Sequence, residues 1–141
     1  MGESLAPLDI LTSVTIELQM LGYSGLLGLV QILLAAHTAS WQRGYRWTAG
    51  SREAHVPPLT GAANRFARAL SNYLDTFPIF AALVLATHVA ARQGPLTLWG
   101  AQLYFWARLA YVPLYGVPVV RSLVWNVATV GIILLAVALL R

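Results

Sequence analysis

Four apolar stretches, at residues 18–36, 77–91, 96–114 and 117–140, leave this chain few ways to fold. A helix needs roughly 20 such residues to cross about 30 Å of hydrocarbon, and each stretch suffices if the second is extended backwards into its polar lead-in. With 58% hydrophobic and 10% charged residues and a mean hydropathy of +0.67, the 141-residue chain has too little polar surface to coat a soluble globule. The expectation is an all-α, integral-membrane bundle of four transmembrane helices, forming a single domain over residues 1–141.

In such a chain the positions of the polar residues carry most of the information. The net charge of +4 comes with no basic stripe of interleaved aromatics, so nucleic acid is not an expected partner. The cations fit membrane topology better. Arg43, Arg46, Arg52 and Arg65 lie between the first two spans, and Arg92 alone lies between the second and third. Cytoplasmic loops are enriched in arginine, so the 43–65 loop is expected in the cytoplasm and both termini outside. The N-terminus carries Glu3 and Asp9 in place of a basic region and shows no clear cleavage site, so it does not read as a signal peptide. There is no cysteine, which excludes disulfides, zinc–thiolate sites and a protein-borne thiol nucleophile. No metal is expected, and any sulfur chemistry must come from a bound small molecule.

Pro57-Pro58 ends the first loop, and Thr60 can cap a helix running from about Gly61 to Ala91. At about 1.5 Å per residue that helix exceeds the hydrocarbon thickness, and its polar start must protrude on the cytoplasmic side. Arg65, Arg68, Asn72 and Asp75 are spaced 3, 4 and 3 apart and so share one stripe, which continues inward as Ile79, Ala82 and Ala86. On the third span Arg108, Tyr111 and Tyr115 share a face near the same end. The fourth span begins there with Pro118, Arg121 and Ser122, where free amides and the helix dipole favour an anion. Three segments thus bring polar groups to one depth on one side.

Each group also has a structural reading. Arg68 and Asp75 can serve an interhelical ion pair, Asn72 a packing hydrogen bond, and the tyrosines an interfacial aromatic belt. Glu17 and His88, towards the outer face, and Gln31 read as structural or interfacial residues, and His37 as a neighbour of the cytoplasmic site. Gly22, Gly25 and Gly28 read as a close-packing face. Pro78 removes one backbone bond just beyond the polar stripe.

Arg68-Ala69, Asn72, Asp75, Pro78 and Phe80 resemble the signature "R-A-x-x-N-x-x-E-x-x-P-x-F" of the MAPEG family, the membrane-associated proteins in eicosanoid and glutathione metabolism. Arg108, Tyr111, Tyr115 and Arg121-Ser122 extend the resemblance over most of the chain from about Gly50, and the loop "AGSREAHVPPLTG" looks like that of bacterial members. The resemblance implies a homotrimer of four-helix protomers in a bacterial inner membrane, binding glutathione as co-substrate at subunit interfaces. It implies conjugation, peroxide reduction or isomerisation, with small lipophilic electrophiles or hydroperoxides reaching the site from the lipid. Arg68, Asn72, Asp75, Arg108, Tyr111 and Tyr115 would hold the tripeptide, and Arg121 and Ser122 would lie nearest its sulfur. Asp75 departs from the signature's glutamate by one methylene, and Ser71 stands where some eicosanoid-metabolising members carry arginine. An eicosanoid substrate is therefore not expected.

Two other readings fit the length and helix count. In a small four-helix exporter Glu17 would exchange protons for cationic drugs, although it lies near the end of its span and the arginines would repel such cargo. The third reading is a non-catalytic structural protein of the membrane.

Overall fold

A computed structural model describes residues 14–141. Glu3 and Asp9, and with them the expectation for the N-terminus, lie outside the described residues. Four long helices and one short one account for most of the rest: α1 over Ile16–Arg43, α2 over Tyr45–Ala49, α3 over Gly61–Val89, α4 over Pro95–Leu114 and α5 over Pro118–Leu140.

The helix boundaries follow from local chemistry. Thr15 caps α1, accepting the amide of Leu18 at 3.3 Å, and Gly44, at φ 92°, ends it in a conformation that costs other residues energy. At α3, Thr60 holds the cap position with extended backbone, but its hydroxyl makes no capping bond to the first turn. Gln42 holds it instead, donating Nε2 to Thr60 Oγ1 at 2.7 Å and accepting the Thr60 amide at 3.0 Å, which fastens the end of α1 to the start of α3. At the far end of α3, Ala91 adopts φ 52°. The Arg92 amide then bonds Thr87 O at 2.8 Å and the Ala91 amide bonds His88 O at 3.1 Å, satisfying the terminal carbonyls in a Schellman arrangement. Pro95 and Pro118 open α4 and α5 at positions where a missing N–H costs nothing.

Among the described residues three helices are long and apolar enough to cross a membrane: α1, α3 and α5. The 20-residue α4 is diluted by Trp99, Gln102, Tyr104, Arg108 and Tyr111. Large apolar side chains such as Leu26, Leu29, Leu33, Ile79, Leu123 and Ile133 face outwards, as they would against lipid.

Inside, α4 and α5 approach most closely. A methyl group on Gly100 would stand 2.7 Å from Gly131 O, so the backbones touch where neither helix carries a side chain. Phe80 stacks on Tyr104 with ring centres 3.9 Å apart, and Tyr73 donates its hydroxyl to Ser24 O on α1. Of the three glycines of α1, Gly28 packs against the Tyr73 ring, whereas Gly22 and Gly25 lie on the outer surface and meet nothing within the chain.

Candidate functional site

The end of the bundle where α3 begins, α4 finishes and α5 begins holds the polar cluster. At its centre is Arg108, 1% exposed on the inner face of α4. Its guanidinium donates to Asn72 Oδ1 at 2.8 Å, to Asn72 O at 2.7 Å and to Thr76 Oγ1 at 2.9 Å. The carbon of the same group lies 5.3, 5.9 and 4.9 Å from the ring centres of Tyr73, Tyr104 and Tyr111, a cage of π-faces around a cation. Thr76 and Tyr104 share a hydrogen bond of 3.1 Å, which locks the layer from both helices.

All of these partners are neutral. A buried guanidinium ordinarily has a carboxylate nearby, because a charge taken out of water needs compensation. Here its Nε is shielded from solvent and has no hydrogen-bond partner among the described residues. The layer therefore carries a positive charge that the cluster does not balance.

Beside Asn72 opens a groove of about 420 Å³, lined by Asn72, Tyr111, Arg121, Ser122, Trp125 and Asn126. Arg121, on the first turn of α5, is half-buried, and its guanidinium lies 4.9 Å from the Tyr115 ring centre. Tyr115 in turn meets Tyr111 edge-on at 5.7 Å. The aromatic pair fixes where the Arg121 charge stands, next to the N-terminal amides of α5. Ser122 donates its hydroxyl to Pro118 O at 2.9 Å, so its oxygen remains an acceptor in the groove while its proton is engaged.

The expected residues thus divide. Asn72, Tyr111, Arg121 and Ser122 come together in the groove. Arg108 lies behind Asn72 and supports it. Tyr115 sits under Arg121 and lines a second recess of about 270 Å³ with Arg65, Phe66 and Gly116. Arg68 and Asp75 are exposed on α3 and do not reach the groove lining. His37 stands apart, its Nδ1 3.4 Å from the Tyr45 hydroxyl. Trp125 and Asn126 were not expected, yet they lie one turn beyond Arg121 and Ser122 on the same face, so the helical spacing could have revealed them.

At the opposite end Glu17 is buried and accepts Thr97 Oγ1 at 2.6 Å, which joins α1 to α4. His88 shares a hydrogen bond of 2.6 Å with Gln93. Both residues tie neighbouring segments together through these bonds.

Searches among curated proteins and among solved structures return no match to this chain. The sequence model of the MAPEG family matches residues 20–141, which takes in every residue of the polar cluster. Together with the apolar helices, that match over most of the chain identifies it as an integral membrane protein belonging to the MAPEG family.

Proposed function

We propose that this protein is a membrane-embedded glutathione-dependent transferase or peroxidase that acts on small lipophilic electrophiles or hydroperoxides. The observation that carries the reading is the uncompensated charge: buried Arg108 beneath the groove, with Arg121 beside it, and only neutral groups in contact with Arg108. An anionic ligand supplies what that arrangement lacks. Glutathione has two carboxylates, an amine and the thiol that a chain without cysteine cannot provide. Its carboxylates suit arginine, and Asp75, exposed on the same stripe as Arg68, suits its amine.

The chemistry follows from placement. A free thiol titrates near 8.5, and a cation together with helix N-terminal amides favours the thiolate. In the proposed reaction the thiol proton leaves to solvent, and Arg121 stabilises the sulfur anion. That sulfur forms a bond to the electrophilic carbon, and the leaving group departs with its electron pair. With a hydroperoxide, the thiolate takes the terminal OH as the O–O bond breaks, leaving a sulfenic acid and an alkoxide that regains a proton from solvent as the alcohol; a second glutathione then reduces the sulfenic acid to the disulfide with loss of water. Asn72, held by two bonds from Arg108, is a fixed polar wall for the bound peptide.

The reading extends to assembly and orientation. Four membrane-spanning helices per protomer, including α4, would associate as a homotrimer, with Gly22, Gly25, Ala82 and the α3 stripe available to a neighbouring copy. Native mass spectrometry in mild detergent should show trimers; monomers alone would count against the assembly. The 43–65 loop would face the cytoplasm, so a periplasm-specific reporter fused after Arg141 should be active. The decisive test is isothermal titration of the purified protein with glutathione, followed by turnover of a generic aromatic electrophile. Absence of both binding and consumption would remove the proposal.

A further inference from the structure

The elbow after α1 is built in a way that the groove does not explain. At about 1.5 Å per residue the 28-residue α1 is longer than the roughly 30 Å hydrocarbon layer, so its last turns stand at the headgroup level. Trp41 and Tyr45, 83% and 57% exposed, mark the same depth as amphipathic rings do at membrane interfaces. There the chain turns at Gly44 into α2 and folds back on itself. Thr48 donates to Ser40 Oγ at 3.1 Å, and Trp47 Nε1 donates to Ala54 O at 3.0 Å.

This clasp holds two arginines. The Arg43 guanidinium lies over the Trp47 ring, 5.1 Å from its centre, and its Nε is buried with no hydrogen-bond partner among the described residues. Arg52 has φ 60°, a left-handed conformation that is costly for a side chain of its size, and its Nε donates to Thr48 O at 3.1 Å. That bond uses the inner nitrogen and leaves the fork's terminal nitrogens to an outside acceptor. Arg46 is exposed on α2, and Glu53 is the one acid against four arginines in residues 43–65. Strained and stacked cations at headgroup depth, with little acid to balance them, suit a phosphodiester.

We propose that the clasp of Arg43 and Arg52 around α2 binds the headgroup of an anionic phospholipid in the adjoining leaflet. The forked guanidinium donors match phosphate oxygens in pairs, and Trp41 and Tyr45 lie against the glycerol and upper acyl region. The site is separate from the glutathione groove, so either proposal can fail alone.

The test compares retention of phosphatidylglycerol and phosphatidylcholine on detergent-purified protein by native mass spectrometry. Wild type should prefer phosphatidylglycerol by about 30-fold, the scale of two arginines at a membrane surface. Arg52→Gly keeps a left-handed residue in the turn and removes the guanidinium. It should reduce that preference about fivefold with thermal stability in phosphatidylcholine unchanged or raised. Arg92→Gln, at the other end of α3, should leave the preference intact. Equal retention of both lipids by wild type, an unaltered preference in Arg52→Gly, or displacement of phosphatidylglycerol by millimolar inorganic phosphate would each overturn the assignment to a lipid headgroup.

Discussion

At one end of the bundle Glu17 is buried against Thr97; at the other, Arg108 is buried against Asn72 and Thr76. Both are ionisable side chains in an apolar setting, and both are held by a hydroxyl from another helix. The difference lies in what surrounds them. Around Glu17 the other polar groups serve their own segment: Gln93 reaches His88, and the Gly94 amide reaches Thr97 Oγ1 at 2.9 Å. Around Arg108 the bonds join α3 to α4, and the Asn72 side chain they hold lines an open groove beside Arg121. Buried polarity that fastens one helix to another and closes the turn beside it is architecture. Polarity drawn from three helices to an opening, with one charge left over, is what a bound anion would require.

Replacing Arg108 should give the largest effect. Arg108→Ala leaves the Asn72 carbonyl and Thr76 without their donor and opens a void among Tyr73, Tyr104 and Tyr111. The loss should be roughly 3–5 kcal/mol, the scale for removing one partner from a buried charged network, read as a lowered unfolding midpoint in detergent. Arg108→Lys restores the charge but not the fork, so it should fold better than the alanine variant and still bind glutathione more weakly than wild type. A near-neutral Arg108→Ala would break the comparison, since the two buried charges would then be equally dispensable.

Next in size is Arg121→Ala. Its cation faces the groove, so turnover at saturating glutathione should fall about ten- to a hundred-fold with little change in KM. The thiolate absorption of bound glutathione should also appear only at higher pH, because losing the cation raises the thiol pKa. Arg68→Ala and Asp75→Ala should do the reverse, weakening glutathione binding about tenfold while sparing the rate at saturation. Identical profiles for all three variants would remove the division between activating and anchoring residues.

How much of this was readable in advance depends on what sets each feature. Helix limits are legible because prolines at 57, 58, 95 and 118 and the apolar runs act locally, and the expected end of α3 at about Ala91 lies within two residues of its observed end at Val89. The five residues of α2 were missed, since Tyr45–Ala49 is too short to show a period and is held by Trp47 and Thr48 contacts from outside itself. The polar stripe on α3 was legible as spacing. Whether Arg108 meets a ligand or Asn72 depends on how α4 is rotated against α3, which spacing within one helix does not encode. The same holds for Thr76, four residues after Asn72, whose role appears only once Tyr104 and Arg108 stand opposite. Gly28 packs on Tyr73 whereas Gly22 and Gly25 face outwards, because spacing within α1 does not encode which side α3 covers.

Glu17→Gln should produce the smallest change, and it tests the other half of the comparison. The amide oxygen of glutamine can still accept from Thr97 Oγ1, and the substitution removes a charge without removing volume. Stability should shift by no more than about 1 kcal/mol, the net value of one hydrogen bond. Glutathione binding and turnover should stay at wild-type levels, because the residue lies at the far end of the bundle from the groove. A carboxylate that cycles protons would behave differently: Glu17→Gln would abolish proton-coupled movement of a cationic dye in vesicles while leaving the fold intact. If that loss is seen, and wild type neither binds nor consumes glutathione, the roles of the two ends reverse, with Glu17 the working group and Arg108 the fastening.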